Sequence, residues 1–356
     1  MTERQLPDHR GPILFLVLLA LVGLIVVAGG LGQTDDDGPG PEPIPPPAEP
    51  TNPFLLEPVE PESAAPSQPT ESTEPEDTDP EDTDPEDTDP APAAPVTLPE
   101  GRARIFGGNR FLVAYYGTAG TGALGVLGET EPAEMHQRVH RAARPFRDDA
   151  GEVQVVYELI VTIADRGPGR DGDYSHDIGR AAVQRYIDAA HRNDALLLLD
   201  IQPGRSDFLT VARRWQWALS HPWVGLAIDP EWRMGRRQVP ARVIGHVGAA
   251  EVNRTSLWLS QLTRRKGLPE KLFVVHQFRT SMITRIERIK ARPGLAIVQH
   301  ADGFGTRPQK LATYRTIARP RQFTMGMKLF YDEDIRRFDA SDVRRIRPRV
   351  RFVSYQ

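Results

Sequence analysis

From residue 101 onward, short apolar runs rich in β-branched and aromatic residues alternate with stretches whose apolar positions recur every three to four residues. The first kind of pattern predicts strands and the second amphipathic helices. The predicted strands cover residues 111–117, 153–162, 195–202, 224–232, 272–278, 294–300, 323–331 and 352–355. Between them, helical patterning covers 130–143, 177–192, 206–220, 249–265, 281–292, 308–319 and 341–346. Ser206 is read as an N-cap with Asp207 adding charge in the first turn. Gly267-Leu268-Pro269 and Pro293-Gly294 are read as stops before strands. Eight strands alternating with seven helices predict a parallel sheet of βα units. The 256 residues from 101 to 356 suit one TIM-like (β/α)8 barrel that lacks its last helix. A doubly wound open sheet is the alternative.

The first hundred residues follow other rules. Residues 12–31 are apolar and uncharged, preceded by Arg4 and Arg10 and followed by Asp35, Asp36 and Asp37. That length and charge order predict a single membrane span over residues 1–32, with everything after it outside the cytoplasm. A cleaved signal segment, and hence a secreted protein, is the competing reading, because Ala28-Gly29-Gly30 offers small residues at a cleavage point. Residues 33–100 are dominated by Pro, Glu, Asp, Thr and Ala and contain three copies of Pro-Glu-Asp-Thr-Asp. Such a composition cannot bury enough apolar surface to offset its ordering entropy, so a disordered linker is predicted.

Charge sharpens the division. The chain's net −4 combines 20 acidic and no basic residues in 33–100 with 42 basic and 26 acidic residues in 101–356, a formal +16 for the latter. A basic domain behind an acidic linker points to anionic surroundings, a cell-wall polysaccharide or other anionic wall polymer, with the membrane engaged through the N-terminal helix. Nucleic acid is not expected, because the basic residues are scattered and no nucleic-acid motif accompanies them. The chain has no cysteine, which removes disulfides, thiolate metal sites and a Cys nucleophile.

In a barrel the C-terminal strand ends form the active-site face. The run Gly225-Leu226-Ala227-Ile228-Asp229-Pro230-Glu231-Trp232 starts as an apolar strand and ends in two carboxylates at i, i+2, which a strand places on one face. Glu231 and Asp229 are therefore the first catalytic candidates, with Asp302 and Asp200 from neighbouring strand ends. Tyr116, Glu158, Gln202, Trp232, His276, Gln277, Lys328 and Tyr331 lie at the same ends and are candidates for binding substrate. His276 and His300 with Lys328 suggest a rival reading, a phosphodiester- or phospholipid-cleaving site. A barrel that binds wall polymer without catalysis is the other rival.

Some motifs are set aside. Gly120–Gly125 matches G-x-G-x-x-G but does not enter a helix at once, and is read as a flexible first βα loop over the barrel mouth. His136 and His140 at i, i+4 lack the Glu of a zincin helix and are read as a solvated face. No metal and no cofactor is expected.

The 225–232 run resembles the strand-4 signature of family 18 chitinase-like glycoside hydrolases. In that family a D-x-D-x-E run ends in the glutamic acid that protonates the glycosidic oxygen, and the preceding Asp orients the substrate N-acetyl group. The resemblance implies Glu231 as general acid and Asp229 as its partner. Ala227 stands where the family has its first Asp, and Pro230 separates the pair. The domain as a whole also resembles secreted (β/α)8-barrel proteins of high-GC Gram-positive bacteria, a group that brings a fold and a location but no activity.

Overall fold

The structure, a computed structural model, describes residues 96–147 and 152–356. The predicted 1–32 anchor and all but the last residues of the predicted 33–100 linker lie outside them. Among the described residues no helix is long and apolar enough to cross a membrane.

Eight strands form the framework: β1 (Phe111–Gly117), β2 (Val153–Ala164), β3 (Leu196–Ile201), β4 (Val224–Ile228), β5 (Lys271–Gln277), β6 (Leu295–Ala301), β7 (Thr324–Leu329) and β8 (Val350–Tyr355). Each pairs in parallel with its neighbour in the chain, and β8 also pairs with β1, so the sheet closes. This is the TIM-like barrel expected, rather than an open sheet. The helices are α1 (Pro132–Ala143), α2 (Arg180–Arg192), α3 (Phe208–Arg214), α4 (Gln216–Leu219), α5 (Ala249–Arg265), α6 (Arg307–Ile317) and α7 (Ala340–Arg345).

Alternation of side chains along each strand divides the apolar residues into two cores. Outward residues such as Val113, Tyr157, Leu199, Leu226, Phe273 and Val353 pack against the helices, which present stripes like Met135, Val139 and Ala143 of α1. Inward residues Leu112, Ala114, Val156, Leu198, Ala227, Val274, Val298 and Phe352 fill the lower half of the barrel, with Leu98 and Ile105 against them. The end of the predicted linker thus belongs to the barrel: Leu98 is buried, and Thr97 O accepts from Trp223 Nε1.

Four local expectations change. The predicted 281–292 helix is absent; instead 3-10 turns at Thr280–Met282 and Ile286–Arg288 flank a two-residue strand, Ile283–Thr284, paired with Val247–Gly248. Its β-branched Ile283, Thr284 and Ile286 disfavour helix, and Arg285 takes a left-handed φ of 56°. The 206–220 helix divides at Trp215, whose indole donates to Thr162 Oγ1. Asp207, not Ser206, caps α3 by accepting from the backbone N–H groups of Leu209 and Thr210. Strand β4 stops at Ile228, where Pro230 opens a 3-10 turn, Pro230–Trp232, so Asp229 and Glu231 do not share a strand.

At the barrel base Lys271 is buried and donates to His221 O and Val224 O. Burial pulls its ammonium down from 10.5 to about 7. The unfolded chain keeps that proton to higher pH, so unfolding takes up a proton between about 7 and 10.5, and stability rises with pH through that window. The Lys271→Met protein should lose this part of the rise, measured as the change in urea midpoint across the window relative to wild type. Parallel pH profiles for the two proteins would count against the assignment.

Candidate active site in the upper barrel

The lower half of the barrel interior is apolar; the upper half is not. Two residues beyond the inward residues Ala114, Val156, Leu198, Ala227, Val274, Val298, Gly326 and Phe352, the same pleat turns Tyr116, Glu158, Asp200, Asp229, His276, His300, Lys328 and Ser354 into the interior. Seven strands contribute one polar group each, and the residue just past β4, Asp229, supplies the eighth. All eight are buried.

Asp302, just past β6, joins three of them. One carboxylate oxygen pairs with His276 Nδ1 at 2.7 Å and Lys328 Nζ at 2.9 Å; the other accepts from His300 Nδ1 at 2.7 Å. Lys328 Nζ also stands 3.5 Å above the Tyr116 ring centroid. Asp229 Oδ2 accepts from the Tyr116 hydroxyl at 3.2 Å and from Gln202 Nε2 at 3.3 Å. The second nitrogen of His276 lies 3.1 Å from Glu158 Oε1 and 3.9 Å from Asp229 Oδ1, in neither case aligned as a hydrogen bond. Acceptor oxygens of Asp229, Glu231 and Asp302 lie within 4.8 Å of one another. Although Pro230 breaks the strand between them, the turn returns Glu231 to the same mouth.

These contacts separate the protonation states. Burial raises the carboxyls of Asp200, Asp229 and Glu231, with Asp229 reinforcing it at Asp200, and Asp229 and Asp302 reinforcing it at Glu231. Burial would raise Asp302 too, but His276, Lys328 and His300 outweigh it and hold Asp302 well below the usual carboxylate range. Glu158 is held below its ordinary value, because His276 outweighs burial. Burial would lower His276, yet Asp302 and Asp229 raise it well above the imidazole range, while at His300 burial prevails and its value falls. One site thus holds an ionised carboxylate beside a carboxyl kept in its acid form, the pairing that general acid chemistry needs.

No protein-family model matches the chain, and comparison with curated proteins gives no match. The site's own geometry therefore carries the functional argument.

Of the sequence candidates, Asp200, Asp229, Asp302, Glu158, His276, Lys328, Tyr116 and Gln202 converge in the upper barrel, and Glu231 joins them from the turn after β4. Two do not. Gln277 falls on the outward phase of β5, where it accepts from Gln299 Nε2 and donates to Arg279 O. Tyr331 stacks on Tyr355, and its hydroxyl lies 3.3 Å from that of Tyr115. Both displacements follow from reading strand ends without the pleat phase. Trp232 is half-buried on the turn beside Glu231. The glycine-rich segment forms two 3-10 turns, Gly122–Leu124 and Val126–Gly128, packed so closely that a Cβ on Gly125 would lie 2.3 Å from Tyr116 O. His136 is not simply solvated, because its Nδ1 bonds the Tyr157 hydroxyl at 2.8 Å.

Ser354, two residues beyond Phe352, was legible from strand alternation but not singled out. Lys310 and Asp334 left no sequence signal. Lys310, buried on α6, bonds Asp334 Oδ2 at 2.9 Å, Gly303 O at 2.7 Å and Lys328 O at 2.9 Å. It ties together the chain segments that carry Asp302 and Lys328.

Gly326 leaves room for this cluster. A Cβ there would lie 2.3 Å from His300 Cδ2. The Gly326→Ala protein should unfold about 1–3 kcal/mol more easily in urea, with the His300 ring displaced from Asp302. A wild-type midpoint would show that the ring has room to spare.

Proposed function

We propose that the barrel is a glycoside hydrolase, with Glu231 as the general acid. The observation that carries this reading is the contrast in exposure at the mouth. Glu231 is partly buried, with Oε2 out of contact with solvent, whereas Glu158, Asp200, Asp229 and Asp302 are buried throughout. Burial and its acidic neighbours keep the Glu231 carboxyl protonated. Proton donation to a glycosidic oxygen needs such a group.

The partner carboxylate in this reading is Asp302, ionised and fixed by two imidazoles and an ammonium. Asp229, the partner implied by the family resemblance, instead engages Tyr116 and Gln202 through one of its oxygens. With the Glu231 and Asp302 oxygens within 4.8 Å, the pair falls near the close spacing, about 5–5.5 Å, that goes with retention of anomeric configuration. The setting of the reaction, an anchored barrel outside the cytoplasm acting on wall polysaccharide, is supported by the patterning of residues 1–100 and the +16 charge of 101–356.

The phosphodiesterase rival is less well supported. Its acid and base, His276 and His300, are both fully buried with Nδ1 committed to Asp302.

The full chain, incubated with peptidoglycan and chitin oligomers, should release reducing ends of retained configuration, read by NMR early in the reaction. Glu231→Gln should slow release by about 10²–10⁴-fold. Undiminished release by the variant, or no release by the wild type from any of these polymers, would sink the assignment.

A further inference from the structure

Beneath Glu231, three carboxylates and one imidazole share a space with fewer hydrogen-bond partners than they have polar atoms. Glu158, Asp200 and His276 are 0% exposed and Asp229 1%. Both carboxylate oxygens of Glu158, both of Asp200, and Oδ1 of Asp229 accept no hydrogen bond, and His276 Nε2 is also without a partner. Folded proteins rarely keep buried polar atoms in that state. The nearest ammonium, Lys328, pairs with Asp302 rather than with these three acids.

The imidazole indicates what fills the gap. His276 Nδ1 is tied to Asp302 at 2.7 Å, which leaves Nε2 facing Glu158 at 3.1 Å and Asp229 at 3.9 Å. A carboxylate behind one ring nitrogen, with the other directed into a group of acids, is the arrangement that orients metal-ligating histidines.

We propose that Glu158, Asp200, Asp229 and His276 Nε2 form a site for one divalent transition cation of the zinc or manganese class. Three carboxylates outweigh a 2+ charge by one, and with the imidazole, which would give up its Nε2 proton to the metal, they supply four donors. An imidazole among the donors favours zinc or manganese over calcium. The ligand atoms of Asp200, Asp229 and His276 already lie within 4.8 Å of one another. Tetrahedral ligands at about 2.1 Å from zinc stand roughly 3.4 Å apart, which is inside that limit. This reverses the expectation of no metal drawn from the sequence, and it stands independently of the glycosidase reading, since Glu231 is not a ligand.

The test uses the full 356-residue chain, purified without chelators. Elemental analysis should find about one equivalent of metal. Chelation should lower Tm, and Zn²⁺ or Mn²⁺ should restore it. Asp200→Asn and Glu158→Gln should each weaken binding at least tenfold while circular dichroism shows an intact barrel, and Glu231→Gln should leave binding unchanged. In the Co²⁺-loaded protein, visible absorption bands should report the nitrogen ligand and change in His276→Gln. A wild type that binds neither ion and shows no Tm response overturns the proposal. So does a metal that Asp200→Asn retains and His136→Ala loses, which would place it on the His136–His140 pair of α1.

Discussion

A closed parallel barrel directs every second residue of every strand into one shared interior, and the chemistry of this chain is sorted by that constraint. The pairing of β8 with β1 makes the interior continuous. Once it is closed, residue parity decides the environment of each side chain. Ala227 fills apolar space and Asp229 enters a polar cluster, although one residue separates them. Gln277 and His276 are chain neighbours, yet one faces the helices and the other the acids.

The upper interior departs from the usual way a fold handles charge. Two apolar cores, one inside the barrel and one between strands and helices, hold the framework together. The polar layer above the inner core is held against them rather than contributing to them. Asp302 concentrates three cationic or donor groups on one carboxylate, and Lys310 with Asp334 anchors the backbone that presents it. A surplus of acids therefore persists at full burial, a condition tolerated at sites whose chemistry or ligand compensates it.

The alternation of strands and helices, and with it the barrel, was legible because its periodic signal extends over the whole of 101–356. Most of the site was legible too, because polar residues at apolar strand ends stand out. What failed was local. The two-carboxylate argument assumed that the strand continued through Pro230, and the correct convergence came from a turn. The 281–292 segment had enough apolar spacing to suggest a helix, but its β-branched residues and a left-handed Arg285 set another path. Gln277 and Tyr331 were misplaced by pleat phase, which no composition reveals. Lys310 acts through backbone carbonyls, and a lysine on a helix gives no hint of such partners.

The contact of Thr97 and Leu98 with the barrel base has a directional consequence. Leu98 packs beside Leu112, Leu196 and Leu272, at the ends of their strands remote from Glu231. The described chain therefore enters the barrel at its floor, at the end opposite the candidate site. A change at Thr97 or Leu98 can therefore reach the acidic cluster only through the barrel's inner core.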